Sequence, residues 1–309
     1  MPPGIRTFHH AQYEIDDLVA RKGSQTVSVC LPARNEEQTV GPIVSAVRAQ
    51  LVAAGLVDEV VVVDDHSTDA TAARAFAAGA RVVSAADLLP EYGEGHGKGE
   101  ALWKSLHEAA GDLIVWCDAD IVDFETQFVV GLLGPLLTVP DVGFVKGFYD
   151  RPVEDGGDRG GRVTELVARP VLSLLFPELT ALLQPLAGEY AGRRAVLEQL
   201  PFVEGYGVDI ALLIDVTSRF GLDVLAQVDL GDRRHRHRPL DQLSPQATAI
   251  IQTVLRRAGL RLSTLPVVLR RPGLEPLAID VAERPPLVTV PSYVAAGTQR
   301  PGGEDFSAV

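Results

Sequence analysis

The tripeptide Asp118-Ala119-Asp120 follows the strand-like run 112–117, and two carboxylates at the end of a buried strand form a hard oxygen donor set. Mg2+ and Mn2+ favour such ligands, and Mg2+ is commonly held by one or two carboxylates together with substrate phosphates. The chemistry suggested is a divalent cation set against the diphosphate of a sugar nucleotide. Alone, the tripeptide also fits a surface turn or a helix cap. Its meaning depends on what converges on it.

Several other segments carry compatible chemistry. Residues 93–99 place four glycines around Lys98 just ahead of a predicted helix, where close backbone approach and anion binding are favoured. The spacing is not that of a Walker A loop, but Lys98 there can offset the charge of a leaving diphosphate. Gly160, Gly161, Arg162, Val163 and Thr164 form a second candidate anion site, with Arg151 just upstream. Two phosphate-competent loops imply two anionic ligands. Pro32, Ala33, Arg34, Asn35 and Glu36 sit where the first main strand turns toward a helix. Asn35 and Glu36 can hydrogen-bond a base or ribose, but an N-cap is the plainer reading of Asn35. Asp64, Asp65, His66 and Ser67 offer the same pair of readings. The basic run 233–238 reads as a solvated cluster or as a loop returning over the site. In the second reading, His235 supplies a nitrogen to the cation of Asp120, its arginine neighbours disfavouring imidazolium. His237 and Arg238 then face an acceptor phosphate or carboxylate. Tyr206 is a candidate for lining the acceptor pocket. Asp209 reads as a base or as a first-turn acid complementing a helix dipole.

These residues need a scaffold, and the pattern predicts one. Apolar strands at 27–31, 59–63, 81–84 and 113–117 alternate with helices at 36–54, 70–78 and 98–110. That alternation predicts a mostly parallel α/β sheet covered by helices on both faces, with ligands beyond the carboxyl ends of its strands. The polar segments at 32–36, 64–69 and 118–120 all fall at such ends. Farther on, a strand is predicted at 142–149 and a helix at 163–183, interrupted near Pro170 and Pro177. Helices follow at 194–199, 208–220 and 241–258, with a strand at 222–228. The expected organisation is an N-terminal extension over 1–25 with a short helix at 13–20, a nucleotide-sugar half over 26–150, a more irregular acceptor half over 151–297, and a disordered tail over 298–309.

Composition narrows the classes. With 46% hydrophobic and 22% charged residues the chain is of ordinary globular make-up. A net charge of -13 argues against general nucleic-acid binding. Cys30 and Cys117 lie in apolar runs and read as buried thiols. No stretch approaches the roughly 20 apolar residues that cross a bilayer, and the first residues lack the pattern of a signal peptide. A soluble cytoplasmic protein is expected. A nicotinamide oxidoreductase is disfavoured, because no Gly-x-Gly-x-x-Gly follows the first main strand.

The segments at 32–36, 63–67, 97–99 and 118–120 resemble, in order, the nucleotide half of a GT-A glycosyltransferase. Residues 161–170, 205–209 and 234–238 look like the actinobacterial glucosyl-3-phosphoglycerate synthase family, and the resemblance spans nearly the whole chain. It implies a retaining transferase that uses UDP-glucose, a divalent metal (Mg2+ or Mn2+) and 3-phosphoglycerate, is typically a homodimer, and starts methylglucose lipopolysaccharide synthesis. By position it implies that Pro32, Ala33, Asn35, Glu36, Asp65 and Lys98 bind the donor, with Asp118 near the ribose. Arg34 and Ala119 complete those donor segments. Asp120 and His235 are the implied metal ligands. Gly161, Arg162, Val163 and Thr164 are implied to hold the acceptor, with Arg151, Tyr206, His237 and Arg238 around it. The chemistry then falls to Asp120, Lys98, Thr164 and Asp209. Arg34 departs from an expected small apolar residue and Asp209 from an expected Glu, one methylene longer. Open alternatives are a mannosyl-3-phosphoglycerate synthase or other small-acceptor transferase, and a nucleotide-sugar-binding regulator without turnover.

Overall fold

Alternating side chains in the central strands feed two separate cores. The computed structural model describes residues 4–150, 161–233, 240–262 and 266–297. In chain order the strands to residue 232 are β1 (Arg6–His9), β2 (Val27–Ala33), β3 (Glu59–Asp64), β4 (Arg81–Ser84), β5 (Leu113–Trp116), β6 (Phe144–Asp150), β7 (Tyr190–Arg193), β8 (Phe202–Val203) and β9 (Leu225–Asp232). The helices are α1 (Ile15–Lys22), α2 (Val40–Val47), α3 (Thr71–Ala77), α4 (Lys98–Glu108), α5 (Gln127–Thr138), α6 (Arg169–Leu175), α7 (Arg194–Leu197), α8 (Val208–Phe220), α9 (Leu240–Arg257) and α10 (Pro291–Gly297). Val27, Val29 and Leu31 of β2 pack with Ile43 and Val47 of α2 and with Phe128 and Leu132 of α5. Cys30, Val61, Val63, Ile114 and Trp116 join Leu102, Trp103 and Leu106 of α4 in the other core. Each fully buried side chain of this size contributes about 1.5–3 kcal/mol, before the entropy of ordering it. Both cysteines are buried and unpaired, as expected.

The main sheet has the order β1-β9-β6-β7-β5-β2-β3-β4, and β7 alone runs antiparallel to its neighbours. The carboxyl ends of β2, β3, β5, β6 and β9 therefore share an edge with the amino end of β7, just after Glu189. That edge is where ligands bind in sheets of this kind.

The expected parallel α/β architecture is the one observed, with local differences. The helix expected at 36–54 starts four residues late, at Val40, and continues as a π-helical turn over Arg48–Val52. The strand expected at 222–228 begins at Leu225 after a 3-10 turn and runs on to Asp232. Pro170 does not interrupt its helix: helical backbone is continuous over 162–175, and the proline follows directly on a π-helical turn, Thr164–Ala168, that changes the winding just before it. Three elements carried too little pattern to predict. β1 has four residues, β7 contains Gly192, and α5 contains Gly131, Gly134 and Pro135. Gly134 is required by packing, since a Cβ there would lie 2.2 Å from the Tyr13 ring. Beyond Pro266 the chain forms an antiparallel pair, Val267–Leu269 with Leu277–Ile279, and a two-residue strand, Glu283–Arg284, against β8.

Arg194 ties the end of α4 to the C-terminal segment. Buried at 8% exposure, it donates to the carbonyls of Leu106 (2.9 Å), Ala109 (2.7 Å) and Gly111 (2.6 Å), and to the Tyr293 hydroxyl (3.0 Å). The last carbonyls of a helix lack intrahelical partners, and a cation suits the negative end of its dipole. Arg194→Met should cost about 2–4 kcal/mol in urea denaturation, because several buried carbonyls lose their donor together. A change below about 0.5 kcal/mol would show that this cap is dispensable.

Candidate active site

The site begins with the turn after β5. Thr39 is buried and donates its hydroxyl to the Ala119 carbonyl at 2.6 Å, which pins the turn at 118–120 to the turn entering α2. Asn35 does not cap α2, which starts at Val40 with no side-chain cap bond. It sits instead in the left-handed region (φ 57°), accepts from the Thr68 amide at 2.8 Å, and donates its own amide to Ser67 Oγ at 3.0 Å. The Glu36 amide donates to Thr71 Oγ1 at 2.7 Å. The loops after β2 and β3 are thus laced together, and Pro32, Ala33, Arg34, Asn35 and Glu36 form one wall with Asp65. Asp65 is buried; its Oδ2 accepts from the Gly97 amide at 2.9 Å and lies 3.9 Å from Arg34 Nη1. Gly97 has φ 92° and immediately precedes Lys98, so glycine is needed to bring that amide to Asp65.

Lys98 is the hub of the floor. Its Nζ lies 3.0 Å from Asp118 Oδ1 and 3.2 Å from Asp209 Oδ1, and 5.6 Å from the centre of the Tyr190 ring. Burial alone would depress the ammonium, but Asp118 and Asp209 outweigh it and hold Lys98 well above the ordinary lysine value. Arg233 is the second hub. Its Nη2 lies 3.5 Å from Asp118 Oδ2 and 3.1 Å from Asp120 Oδ1, while Nη1 donates to Glu189 and, at 3.0 Å, to the Tyr149 hydroxyl. Burial would lower Arg233, yet Glu189 with Asp118 and Asp120 raises it. Burial raises Glu189 despite the guanidinium beside it. Burial also pushes the Tyr190 hydroxyl well up, and Asp209 adds to this.

Asp120 is the most open of these carboxylates, its side chain 40% exposed against 27% for Asp118 and 0% for Glu189. Asp118 has an oxygen on each hub, whereas Asp120 meets only Arg233 of the two and is the more exposed. That division fits a hard divalent cation at Asp120, since carboxylate oxygen is the donor Mg2+ and Mn2+ favour. His235, the expected nitrogen ligand, lies outside the described residues, as do Arg151, His237 and Arg238.

In the segment expected to hold the acceptor, Thr164 is buried at the start of a π-helical turn, Thr164–Ala168, that leads into α6. The Glu165 amide donates to the Gly161 carbonyl at 3.0 Å; Gly161 and Arg162 are half-buried and Val163 is buried. Tyr206 lies on a 3-10 turn, Gly205–Gly207, and is 42% exposed. Asp209 stands in the first turn of α8, where its carboxylate is committed to Lys98 rather than to solvent.

Known proteins resemble this chain over most of its length. The family model "Glycosyl transferase family 2" matches residues 28–198. The chain belongs to that family. As a family 2 glycosyltransferase it is an enzyme with the GT-A fold expected from its motifs. It is 47% identical over 293 residues to the glucosyl-3-phosphoglycerate synthase of Mycolicibacterium smegmatis, covering 92% of this chain and 96% of that one. A relative of the same name from Petrotoga mobilis is 45% identical over 308 residues, covering 93% and 95%. Among solved structures, the Mycobacterium tuberculosis glucosyl-3-phosphoglycerate synthase in complex with Mn2+, UDP-glucose and phosphoglyceric acid superposes with a TM-score of 0.84. Its identity is 46%, over 92% of this chain and 98% of that one. The mannosyl-3-phosphoglycerate synthase of Rubrobacter xylanophilus also gives 0.84, at 41% identity over 92% and 97%. Among the described residues, no helix of this glycosyltransferase is long and apolar enough to cross a membrane.

Four residues of the site carried no readable signal. Glu189 and Gly188 precede a strand too short to predict, and Lys146 is a buried charge in an otherwise apolar stretch of β6. Arg233 opens a basic run in which nothing distinguishes a buried guanidinium from a solvated one. Gly188 is constrained by contact, because a Cβ there would stand 1.9 Å from Asp118 Oδ2. Gly188→Ala should displace Asp118 from Lys98 and lower kcat at least about tenfold, a loss of about 1.4 kcal/mol, while circular dichroism stays native. Wild-type kinetics in that variant would mean Asp118 can move without consequence.

Lys146 gives a pH test. It is buried with its Nζ 4.2 Å from the Tyr190 ring centre, and among the described residues that nitrogen has no hydrogen-bond partner. Burial pushes it from the ordinary 10.5 down to about 8. Between those values the unfolded chain binds a proton that the folded chain has released, so stability from this group rises with pH. Lys146→Met should be the more stable form near neutral pH, by on the order of 3 kcal/mol. That advantage should shrink from about pH 8 to about pH 10 in urea titrations. A pH-independent difference would remove Lys146 as its source.

Proposed function

We propose that this chain is a glucosyl-3-phosphoglycerate synthase, transferring glucose from UDP-glucose to the hydroxyl of D-3-phosphoglycerate with retention at the anomeric carbon. The observation carrying the proposal is Lys98, charged and clamped between Asp118 and Asp209 beside the more exposed Asp120. The names and bound ligands of the relatives support the choice of donor and acceptor.

The donor lies along the laced wall, with Pro32, Ala33, Arg34, Asn35, Glu36 and Asp65 around the nucleotide and Asp118 and Ala119 near the ribose. Asp120 and His235 hold a divalent metal, which when bound supplies Lewis-acid stabilisation of the departing diphosphate. Lys98 adds a fixed positive charge to the same oxygens, which costs no reorganisation because the two aspartates already orient it. Asp209 acts through Lys98 by keeping the ammonium in place. Gly161, Arg162, Val163 and Thr164 grip the acceptor phosphate, with Arg151, Tyr206, His237 and Arg238 completing the pocket. The gain there is positional, as the hydroxyl is held against the anomeric carbon. No residue serves as a nucleophile; the donor phosphate takes the acceptor proton on the same face. We place the enzyme in the cytoplasm as a homodimer, which light scattering should report at twice the 33.1 kDa chain mass.

The deciding experiment is a donor screen with 3-phosphoglycerate, following nucleoside diphosphate release with and without acceptor. Acceptor-dependent UDP release from UDP-glucose is expected. Preference for GDP-mannose would move the chain to the mannosyl reading, and no release from any donor would make it a binding protein. Two variants probe the two halves separately. Thr164→Ala should raise the acceptor KM at least about tenfold with UDP binding intact, and unchanged acceptor kinetics would remove this loop from the site. Asp120→Ala should abolish the stimulation of turnover by Mg2+ or Mn2+, and full metal-dependent activity would exclude it as a ligand.

A further inference from the structure

Asp65, His66 and His96 lie together at the lip of the nucleotide wall, and one ligand atom from each can be chosen so that all lie within 4.8 Å of one another. The group lies on the loops after β3 and before α4, whereas the metal-bearing turn at 118–120 follows β5. We propose that these three residues form a second cation site, suited to a borderline transition metal of the Zn2+ class, whose occupancy competes with the nucleotide. The competition rests on the proposed role of Asp65 in donor binding; the site itself does not.

Three features of the cluster are those of a ligand set. Asp65 is buried and anchored by the Gly97 amide, so one corner is rigid. His66 Nδ1 bonds Asp65 Oδ1 at 2.9 Å, and its Nε2 is buried with no hydrogen-bond partner. A cation taken up between Asp65 and His66 replaces that hydrogen bond, so Nδ1, the nitrogen facing the carboxylate, is the ligand and Nε2 carries the ring proton. The His96 ring centre is 4.4 Å from that of His66. Because His96 is exposed, a small side-chain rotation brings its nitrogen to the spacing of about 3.3 Å that a tetrahedral zinc requires.

The backbone carries a further mark. His66 sits at φ 60°, a left-handed conformation that costs a non-glycine residue about 1–2 kcal/mol. A glycine would fill this turn without that cost, so the imidazole is kept against a local penalty. Two imidazoles and one carboxylate match borderline metals better than Mg2+, which prefers all-oxygen sites. A cation seated here takes up the Asp65 carboxylate one residue away, through Gly97, from Lys98. It therefore opposes the nucleotide without touching Asp120.

Zn2+ titration calorimetry on metal-stripped protein tests the site without any substrate. In an Asp120→Ala background, which disables the main metal position, one Zn2+ should still bind. Adding His96→Ala or His66→Gly should weaken it at least about tenfold. The glycine variant suits the left-handed turn, so its fold should be intact. Equal Zn2+ affinity with and without these changes would overturn the site. In wild-type protein saturated with Mg2+, added Zn2+ should lower UDP affinity several-fold. His96→Ala should remove that effect while leaving Mg2+-supported UDP binding unchanged. UDP binding that ignores Zn2+ in the wild type would overturn the competition. Failure of glucosyl transfer altogether would leave the zinc titration interpretable, which separates this inference from the assigned function.

Discussion

Crowding of carboxylates is the constraint around which the functional edge is built. Asp118, Asp120, Glu189 and Asp209 meet at the end of the sheet, and carboxylates this close repel one another unless cations lie between them. Lys98 and Arg233 meet that need from opposite directions. One stands at the first residue of α4 and the other just beyond β9, so the charge balance requires the outer strands and the central helix together. Each cation is also shielded from water, which strengthens its attraction for its partners and raises the cost of removing any one of them. A preformed electrostatic floor of this kind suits a reaction whose main demand is to accept a departing diphosphate.

The single reversed strand makes the arrangement possible. If β7 ran parallel to β5 and β6, its amino end and Glu189 would lie at the opposite edge of the sheet. Antiparallel placement instead delivers Glu189 to the catalytic side, level with Tyr149 and Arg233. Gly188 completes this by leaving room for Asp118 where the chain enters the strand.

How much of this could be read from the sequence depended on whether a role had a local pattern. Strands β2, β3 and β5 announce themselves by continuous apolar runs, so the edge carrying residues 32–36, 64–65 and 118–120 is legible. Lys98 was legible because glycine flanks it before a helix. The local reading of Asn35 as a cap fails because its partners, Ser67 and Thr68, are more than thirty residues away. Glu189 and Arg233 were invisible for a related reason: burial of a charge is decided by distant partners, and neither has a local signature. α5 went unpredicted because its glycines and proline lower helix propensity, and only the sheet and Tyr13 packed against it explain them.

The cap on α4 ties the helix that carries Lys98 to the segment over residues 285–293. Arg194 holds the last turn of that helix and leans on Tyr293, while Trp103 in the middle donates its indole N–H to the Pro285 carbonyl at 2.8 Å. Lys98 stands at the other end of the same 11-residue helix, about 16 Å away. Residues 285 and 293 follow every side chain of the electrostatic floor in the chain, so a polypeptide cut short before residue 285 would possess all of those side chains without the brace on the helix that carries Lys98.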